Sequence, residues 1–261
     1  MLDSVTDIVR RASALMKRDG FDVRQKDGAV NLVTSSDLAV QDFLCRELSA
    51  LIPGSGFICE ENDFHSEGKE YVWVIDPIDG TANYARGEEH CCISVGLRKD
   101  GEMELGVVFA PWMDRMYSAR RGCGAFLNGE RIHTSSRSFR EGMFYASLSL
   151  YTKQYAGMCL DILRDTYSRS NDIRCFGSAA LGICEIAAGY IEMYFEMRLQ
   201  PWDYAAAICI LREAGGCISG FHGAEPVFDG PDLICAANSA ENHAALMRIV
   251  EKHVSRVPYR D

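Results

Sequence analysis

Apolar residues recur at helical spacing from the start of the chain, where Leu2, Val5, Ile8, Val9, Ala12, Leu15 and Met16 are separated by charges. A single apolar stripe of this kind predicts an amphipathic surface helix over residues 2–16. A second helix is predicted from about 37 to 51, with Leu38, Phe43, Leu44, Leu48 and Leu51 facing the core and Pro53-Gly54 ending it. The period then changes. Residues 71–75 (Tyr-Val-Trp-Val-Ile) are continuously apolar or aromatic and predict a buried strand, with further strands at 91–97, 104–109 and 115–119. Asn128-Gly129, set between Ala125-Phe126-Leu127 and Ile132, marks a hairpin turn.

The second half alternates more regularly. Strand-like 143–149 precedes a helix at about 154–168, and a helix near 178–189 leads to strand-like 191–195. A helix at 203–214, strands near 217–220 and 233–236, and a closing helix at about 240–254 complete the pattern. Helices and strands alternating in this way predict a layered α/β architecture rather than a bundle or a sandwich of sheets alone. No repeat, low-complexity stretch or linker divides the 261 residues, so one domain is expected over 1–261, with halves at about 1–140 and 141–261.

Composition narrows the class. With 48% hydrophobic and 25% charged residues the chain is ordinary globular material, which excludes disorder, collagen and coiled coil. Its 11 cysteines are odd in number and irregularly spaced, with no Cys-x-x-Cys or Cys/His zinc pattern. Most sit among apolar neighbours, as in Ile208-Cys209-Ile210, and read as buried reduced thiols in a reducing compartment. No apolar run suits a signal peptide or a membrane span, so a cytoplasmic protein is expected. A net charge of −10 and the lack of a basic face argue against nucleic-acid binding. A chain this negative that handled an anionic substrate would need local positive charge, and divalent cations would supply it.

Residues 73–81 (Trp-Val-Ile-Asp-Pro-Ile-Asp-Gly-Thr) carry the strongest chemical signal. An apolar strand ends in two carboxylates, Asp76 and Asp79, a common way to present oxygens to a hard cation. Pro77 restrains Asp76 to an extended conformation, Gly80 permits a sharp turn, and Thr81 stands where a helix could begin. The amides of Gly80 and Thr81 would then face a phosphate beside the cation. Asp-Pro-x-Asp-Gly by itself is equally a surface turn. Glu60-Glu61, after the apolar run 56–59, also suits a solvated loop. Asp203 opens an apolar helix and Asp37 completes the capping box Thr34-x-x-Asp37, so each has a structural reading of its own.

Taken together, residues 31–37 (Asn-Leu-Val-Thr-Ser-Ser-Asp), Glu60-Glu61, the run from Asp76 to Thr81, residues 174–180 (Arg-Cys-Phe-Gly-Ser-Ala-Ala) and Trp202-Asp203 resemble the inositol monophosphatase family in order and rough spacing. The resemblance covers about residues 26–220. It implies a layered α/β/α/β/α sugar-phosphatase sandwich, a homodimer, and a lithium-sensitive, Mg2+-dependent phosphatase acting on a small phosphate monoester, inositol-1-phosphate first among them. By the same resemblance, Glu60, Asp76 and the Ile78 carbonyl would hold one magnesium, and Asp76, Asp79 and Asp203 a second, with a third ion near Glu60. Asp37 and Thr81 would orient the attacking water and accept its proton, with Glu60 counted among the catalytic groups. Asp79, Gly80, Thr81, Gly177, Ser178, Ala179, Glu196 and Asp203 would contact substrate, and Lys26 falls at a position where the family often has lysine.

The chain departs from the family pattern at Cys59, at Glu88-Glu89-His90, and at Arg198 and Gln200 before Asp203. A thiol nucleophile at Cys59 lacks an activating histidine, since His65 reads as a loop residue. Two rival readings remain: the same metal chemistry on fructose-1,6-bisphosphate, adenosine 3′,5′-bisphosphate or histidinol phosphate, with Arg174 and Arg198 as candidates for a second phosphate, and a protein-docking role without turnover.

Overall fold

The computed structural model describes residues 1–25, 32–61, 66–147 and 153–254. Lys26, Asn31, His65 and the end of the strand expected at 143–149 lie outside the described residues. The N-terminal stripe folds as α1 (Leu2–Ala12) with a following 3-10 turn, and it packs beside α2 (Ser35–Leu51). An antiparallel pair, β1 (Val23–Gln25) and β2 (Leu32–Thr34), leads into α2.

Seven consecutive strands then form one sheet in chain order: β3 (Gly56–Cys59), β4 (Tyr71–Asp79), β5 (Cys92–Lys99), β6 (Glu102–Ala110), β7 (Arg115–Arg120), β8 (Gly124–Leu127) and β9 (Glu130–Ile132). β3 runs parallel to β4, and each later neighbour is antiparallel. The Asn128-Gly129 turn joins β8 to β9 as expected. A single-turn helix, α3 (Thr81–Tyr84), follows β4.

The second half builds a five-stranded sheet from β10 (Met143–Ala146), β11 (Asp172–Arg174), β12 (Met193–Leu199), β13 (Cys217–Ser219) and β14 (Asp232–Ala237), in the order β11-β10-β12-β14-β13. Its helices are α4 (Ala156–Tyr167), α5 (Ala179–Ala187), α6 (Pro201–Glu213) and α7 (Ala240–Val254). Five layers result. α1 and α2 cover one face of the larger sheet, α5 and α6 lie between the two sheets, and α4 and α7 cover the far face of the smaller one. This is the α/β/α/β/α sandwich expected from the resemblance. All nine residues of α5 are buried, because a helix between two sheets has no solvent face. Fully buried Trp73, Tyr117, Tyr194 and Tyr204 anchor the layers, each such side chain contributing on the order of 2–3 kcal/mol of burial.

Two details bear on the cleft described below. The buried stripe of α2 is Asp37, Val40, Gln41, Leu44 and Leu48, while Leu38 is exposed, contrary to the periodicity reading. Polar residues occupy inward positions there because that end of the helix faces the cleft rather than the apolar core. The second detail is a notch under α6. Gly96 and Gly106 are paired in register on β5 and β6, and a Cβ on Gly106 would lie 2.1 Å from the Ala206 carbonyl oxygen. The helix therefore rests directly on the sheet backbone, which brings Asp203 in its first turn towards β4.

Of the eleven cysteines, Cys59, Cys91, Cys92, Cys159, Cys184, Cys209 and Cys235 are buried and all are free thiols. Cys91 and Cys92 fall in separate core clusters on opposite faces of the sheet. Cys45 and Cys59 meet at 3.8 Å, a proximity that the sequence spacing does not disclose. Among the described residues no helix is long and apolar enough to cross a membrane.

Candidate active site

β4 and β12 each carry a bulge at the same cleft. Along β4, Asp76 pairs with Ser94 and Asp79 with Cys92, so three steps on one strand oppose two on the next. In a regular strand residues three apart face opposite sides. The extra residue, next to Pro77 with its missing N–H, brings both carboxylates to one cleft. Along β12, Glu196 pairs with Ile234 and Leu199 with Asp232, again three steps against two, and both residues line the same cleft. Arg198 absorbs this second bulge with φ at +63°. Glu196 thus lies within the strand rather than beyond its end, as the shorter strand read from sequence would have it.

The cleft, about 520 Å3 in open volume, is lined by Glu60, Asp76, Ile78, Asp79, Gly80, Thr81, Ala82, Gly177, Ala179, Glu196, Leu199 and Asp203. Five of these are carboxylates, and none is basic. Gly80 turns with φ +87°, and a Cβ there would lie 2.8 Å from the His90 carbonyl oxygen, so the turn after Asp79 requires glycine. Asn83 on α3 ties the loops together by donating to the carbonyls of His90 at 2.8 Å and Phe176 at 2.5 Å.

Each acid is oriented by named donors. Asp79 Oδ2 accepts from Ser178 Oγ at 2.6 Å and Ala180 N–H at 2.8 Å, and Oδ1 accepts from Ala179 N–H at 3.3 Å. Asp79 therefore caps α5 from a hundred residues away in sequence. Asp76 Oδ1 accepts from Ile78 N–H at 3.0 Å, and Asp203 Oδ2 from Gln200 N–H at 2.7 Å in a capping box. Asp37 Oδ2 accepts from Thr34 N–H at 2.8 Å and from the Thr34 hydroxyl, while Thr81 Oγ1 donates to Oδ1 at 3.3 Å. Asp37 thus caps α2 and also meets Thr81 of the cleft lining.

Burial holds Asp76, Asp79, Asp203 and Glu196 above the usual carboxylate range, and repulsion between acids adds to it at Asp76 and Asp203. Asp76 is raised by desolvation and then by Glu60, Asp79, Asp203 and Asp37; Asp203 by desolvation and then by Asp79 and Glu60. Asp79 is raised by desolvation despite its donors. Glu196 is pushed up to about 7 by burial, against hydrogen bonds from Tyr194 and Ser147. Clustered acids without a cationic neighbour in the cleft lining, offering hard oxygen donors only, suit a divalent cation such as magnesium.

Of the residues expected in the site, Glu60, Asp76, Ile78, Asp79, Gly80, Thr81, Gly177, Ala179, Glu196 and Asp203 line this cleft, and Asp37 meets it through Thr81. Ser178 stands behind it on Asp79 rather than in the lining. Arg174 does not line it and instead pairs with Asp172 at 2.5 Å, and Arg198 is likewise absent from the lining.

The model of the inositol monophosphatase family matches residues 3–255. This chain belongs to the inositol monophosphatase family. It is 30% identical to the inositol-1-monophosphatase of Mesorhizobium japonicum, covering 98% of this chain and 97% of that protein. It is 34% identical to the Nus factor SuhB of Escherichia coli K12, covering 85% and 86% respectively. The solved structure of an IMPase from Thermotoga maritima superimposes with a TM-score of 0.85 at 31% identity, covering 98% of this chain and 99% of that one.

Within this inositol monophosphatase frame, sequence reasoning undervalued Glu61. Carboxylate oxygens of Asp37, Glu60 and Glu61 lie within 4.8 Å of one another, so Glu61, which the sequence reading paired with Glu60 but gave no site role, joins an acidic cluster. Leu199 and Ala82 were also missed as lining residues. The bulge that turns Leu199 inward leaves no trace in the sequence pattern.

Proposed function

We propose that this phosphatase of the inositol monophosphatase family hydrolyses a small, singly phosphorylated polyol, inositol-1-phosphate being the first candidate, with magnesium bound in the acidic cleft. The observation that carries this reading is the lining itself, where five carboxylates converge with no basic side chain among the described residues. Such a cleft binds a phosphate only with cations between them. Among the described residues no second cationic subsite adjoins the lining, which favours a monoester over a bisphosphate.

In this reading Glu60, Asp76 and the Ile78 carbonyl would hold one ion, and Asp76, Asp79 and Asp203 would hold another. Bound there, magnesium supplies positive charge to the phosphate oxygens and acidifies water. The chain's own residues do the rest. Thr81 receives the proton of the attacking water and relays it to Asp37, whose far oxygen is pinned by Thr34 so that Oδ1 faces Thr81. The amides of Gly80 and Thr81 orient the phosphate at the turn after β4. Glu196, held by the Tyr194 hydroxyl, accepts from a polyol hydroxyl, and Gly177 and Ala179 pass backbone along the ring. A homodimer belongs to the same reading and is tested by light scattering.

Phosphate release from inositol-1-phosphate, fructose-1,6-bisphosphate, adenosine 3′,5′-bisphosphate and histidinol phosphate, each with magnesium and with excess chelator, tests the proposal. Magnesium-dependent turnover that favours inositol-1-phosphate supports it. Preference for either bisphosphate overturns the monoester argument. A docking role is a second reading, favoured by the likeness to the Nus factor SuhB. An Asp203→Asn variant that loses hydrolysis while keeping full cellular function would support docking.

A further inference from the structure

We infer that Tyr145 is a positioning residue for the metal cleft, its phenol fixing the backbone of Ser178 so that the start of α5 grips Asp79. Tyr145 lies on β10 and is only 2% exposed. Its ring packs on Phe176 and Tyr194, with centroids 5.5 and 5.4 Å away, and a Cβ on Gly182 would meet it at 3.2 Å. The ring has little freedom, so its oxygen is aimed. The Ser178 N–H donates to it at 3.2 Å, and the phenol O–H donates to the Ser178 carbonyl at 3.2 Å.

Ser178 is the last residue before α5 and is still extended, with φ −134° and ψ 113°. Its N–H has no intrahelical acceptor in that conformation, and a buried orphan amide is costly. The phenol supplies the missing partner. With the backbone held there, Ser178 Oγ and the amides of Ala179 and Ala180 converge on Asp79. The two shorter bonds load Oδ2, which leaves Oδ1, with its longer contact at 3.3 Å, as the less engaged oxygen for a cation. Tyr145 does not line the cleft, so its influence runs through Ser178. Groups that orient a ligand in this manner set metal affinity about 10–100-fold.

This inference rests on the magnesium reading above, and Tyr145→Phe tests it, since the ring and its packing stay while the oxygen goes. Isothermal titration with Mg2+ on the purified full chain should give a dissociation constant raised about 10-fold. The Mg2+ concentration for half-maximal phosphate release should rise in parallel, with kcat recovering at saturating Mg2+. A purely structural role would instead lower the melting temperature and leave the Mg2+ curve in place. The double variant with Ser178→Ala should weaken Mg2+ binding by less than the product of the single effects, because both changes act on Asp79. Unchanged Mg2+ affinity in a folded Tyr145→Phe protein, or full independence of the two changes, overturns the inference. If the unsubstituted chain takes up no Mg2+, the magnesium reading fails and takes this inference with it; if it binds Mg2+ and Tyr145→Phe binds equally, only this inference fails.

Discussion

Thr81 and Asp37 meet at 3.3 Å across 44 residues of chain, joining the single-turn helix after β4 to the first turn of α2. The Thr81 hydroxyl also reaches the Ile78 carbonyl at 2.9 Å, and its one hydrogen serves these two acceptors in turn. Thr81→Val keeps the shape and removes the relay. Its kcat is expected to fall about 100-fold or more, while Thr81→Ser retains most of the rate. Steady-state kinetics on the two variants checks this, and equal rates for Thr81→Val and the unsubstituted chain would remove the pair from proton transfer.

Asp79→Asn is expected to lower turnover by two to three orders of magnitude at fixed Mg2+, roughly the scale of losing one charge-stabilising group. The amide oxygen can keep the Ser178 and Ala180 contacts of Oδ2, but the NH2 must then face the Ala179 N–H. A stability loss of about 1 kcal/mol should follow, as for other weakened caps. Thermal melting alongside kinetics separates the effects, and near-normal activity in this variant would sink the metal assignment.

The metal-free protein should lose stability as pH rises. Asp76, Asp79, Asp203 and Glu196 all have raised folded values, so in the window above about 4, their ordinary range, the folded state binds more protons than the unfolded one. Their stabilising contribution is complete below that range and is lost as pH climbs through the folded values, for Glu196 up to about 7. Melting in chelator from pH 5 to 8 should show a falling midpoint. Excess Mg2+ should raise the midpoint most at the high end, by several degrees where about 100-fold excess over Kd adds roughly 2.7 kcal/mol. A midpoint in chelator that rises with pH would contradict the cluster's electrostatics.

Arg198 holds φ at +63° in the bulge that turns Leu199 into the cleft. A side chain pays for that conformation, and glycine does not. Arg198→Gly should therefore leave the bulge intact and stabilise the protein by roughly 0.5–1 kcal/mol, measured by urea unfolding. If it destabilises instead, the guanidinium has a packing role that outweighs the strain.

Periodicity and turn chemistry made most elements legible, down to the Asn128-Gly129 hairpin, because they depend on neighbours a few residues apart. Asp76 and Asp79 were readable for the same reason, an apolar strand running into acids. β1 and β11 escaped, being three-residue strands with half-buried or exposed side chains and no apolar run to mark them. Leu38 was misplaced because an apolar residue was assumed to face inward, whereas Asp37 and Gln41 take the inward positions to serve a polar cleft. What joins Ser178 to Asp79 across 99 residues, or Tyr145 to Ser178, lies in strand order and bulges, which a single sequence does not encode locally.

The glycine pair under α6 gives the core a say in the chemistry. Asp203 rides on that helix and Asp76 on the sheet it rests against, so the gap between them is a layer spacing before it is a matter of side-chain rotamers. Two hydrogens, at Gly96 and Gly106, act as the shim. A methyl group at Gly106 would meet the Ala206 backbone and force the layers apart, widening the seat offered to a cation without altering a single ligand. On the magnesium reading, the fit of the cleft to an ion would therefore depend partly on two residues that no ion touches.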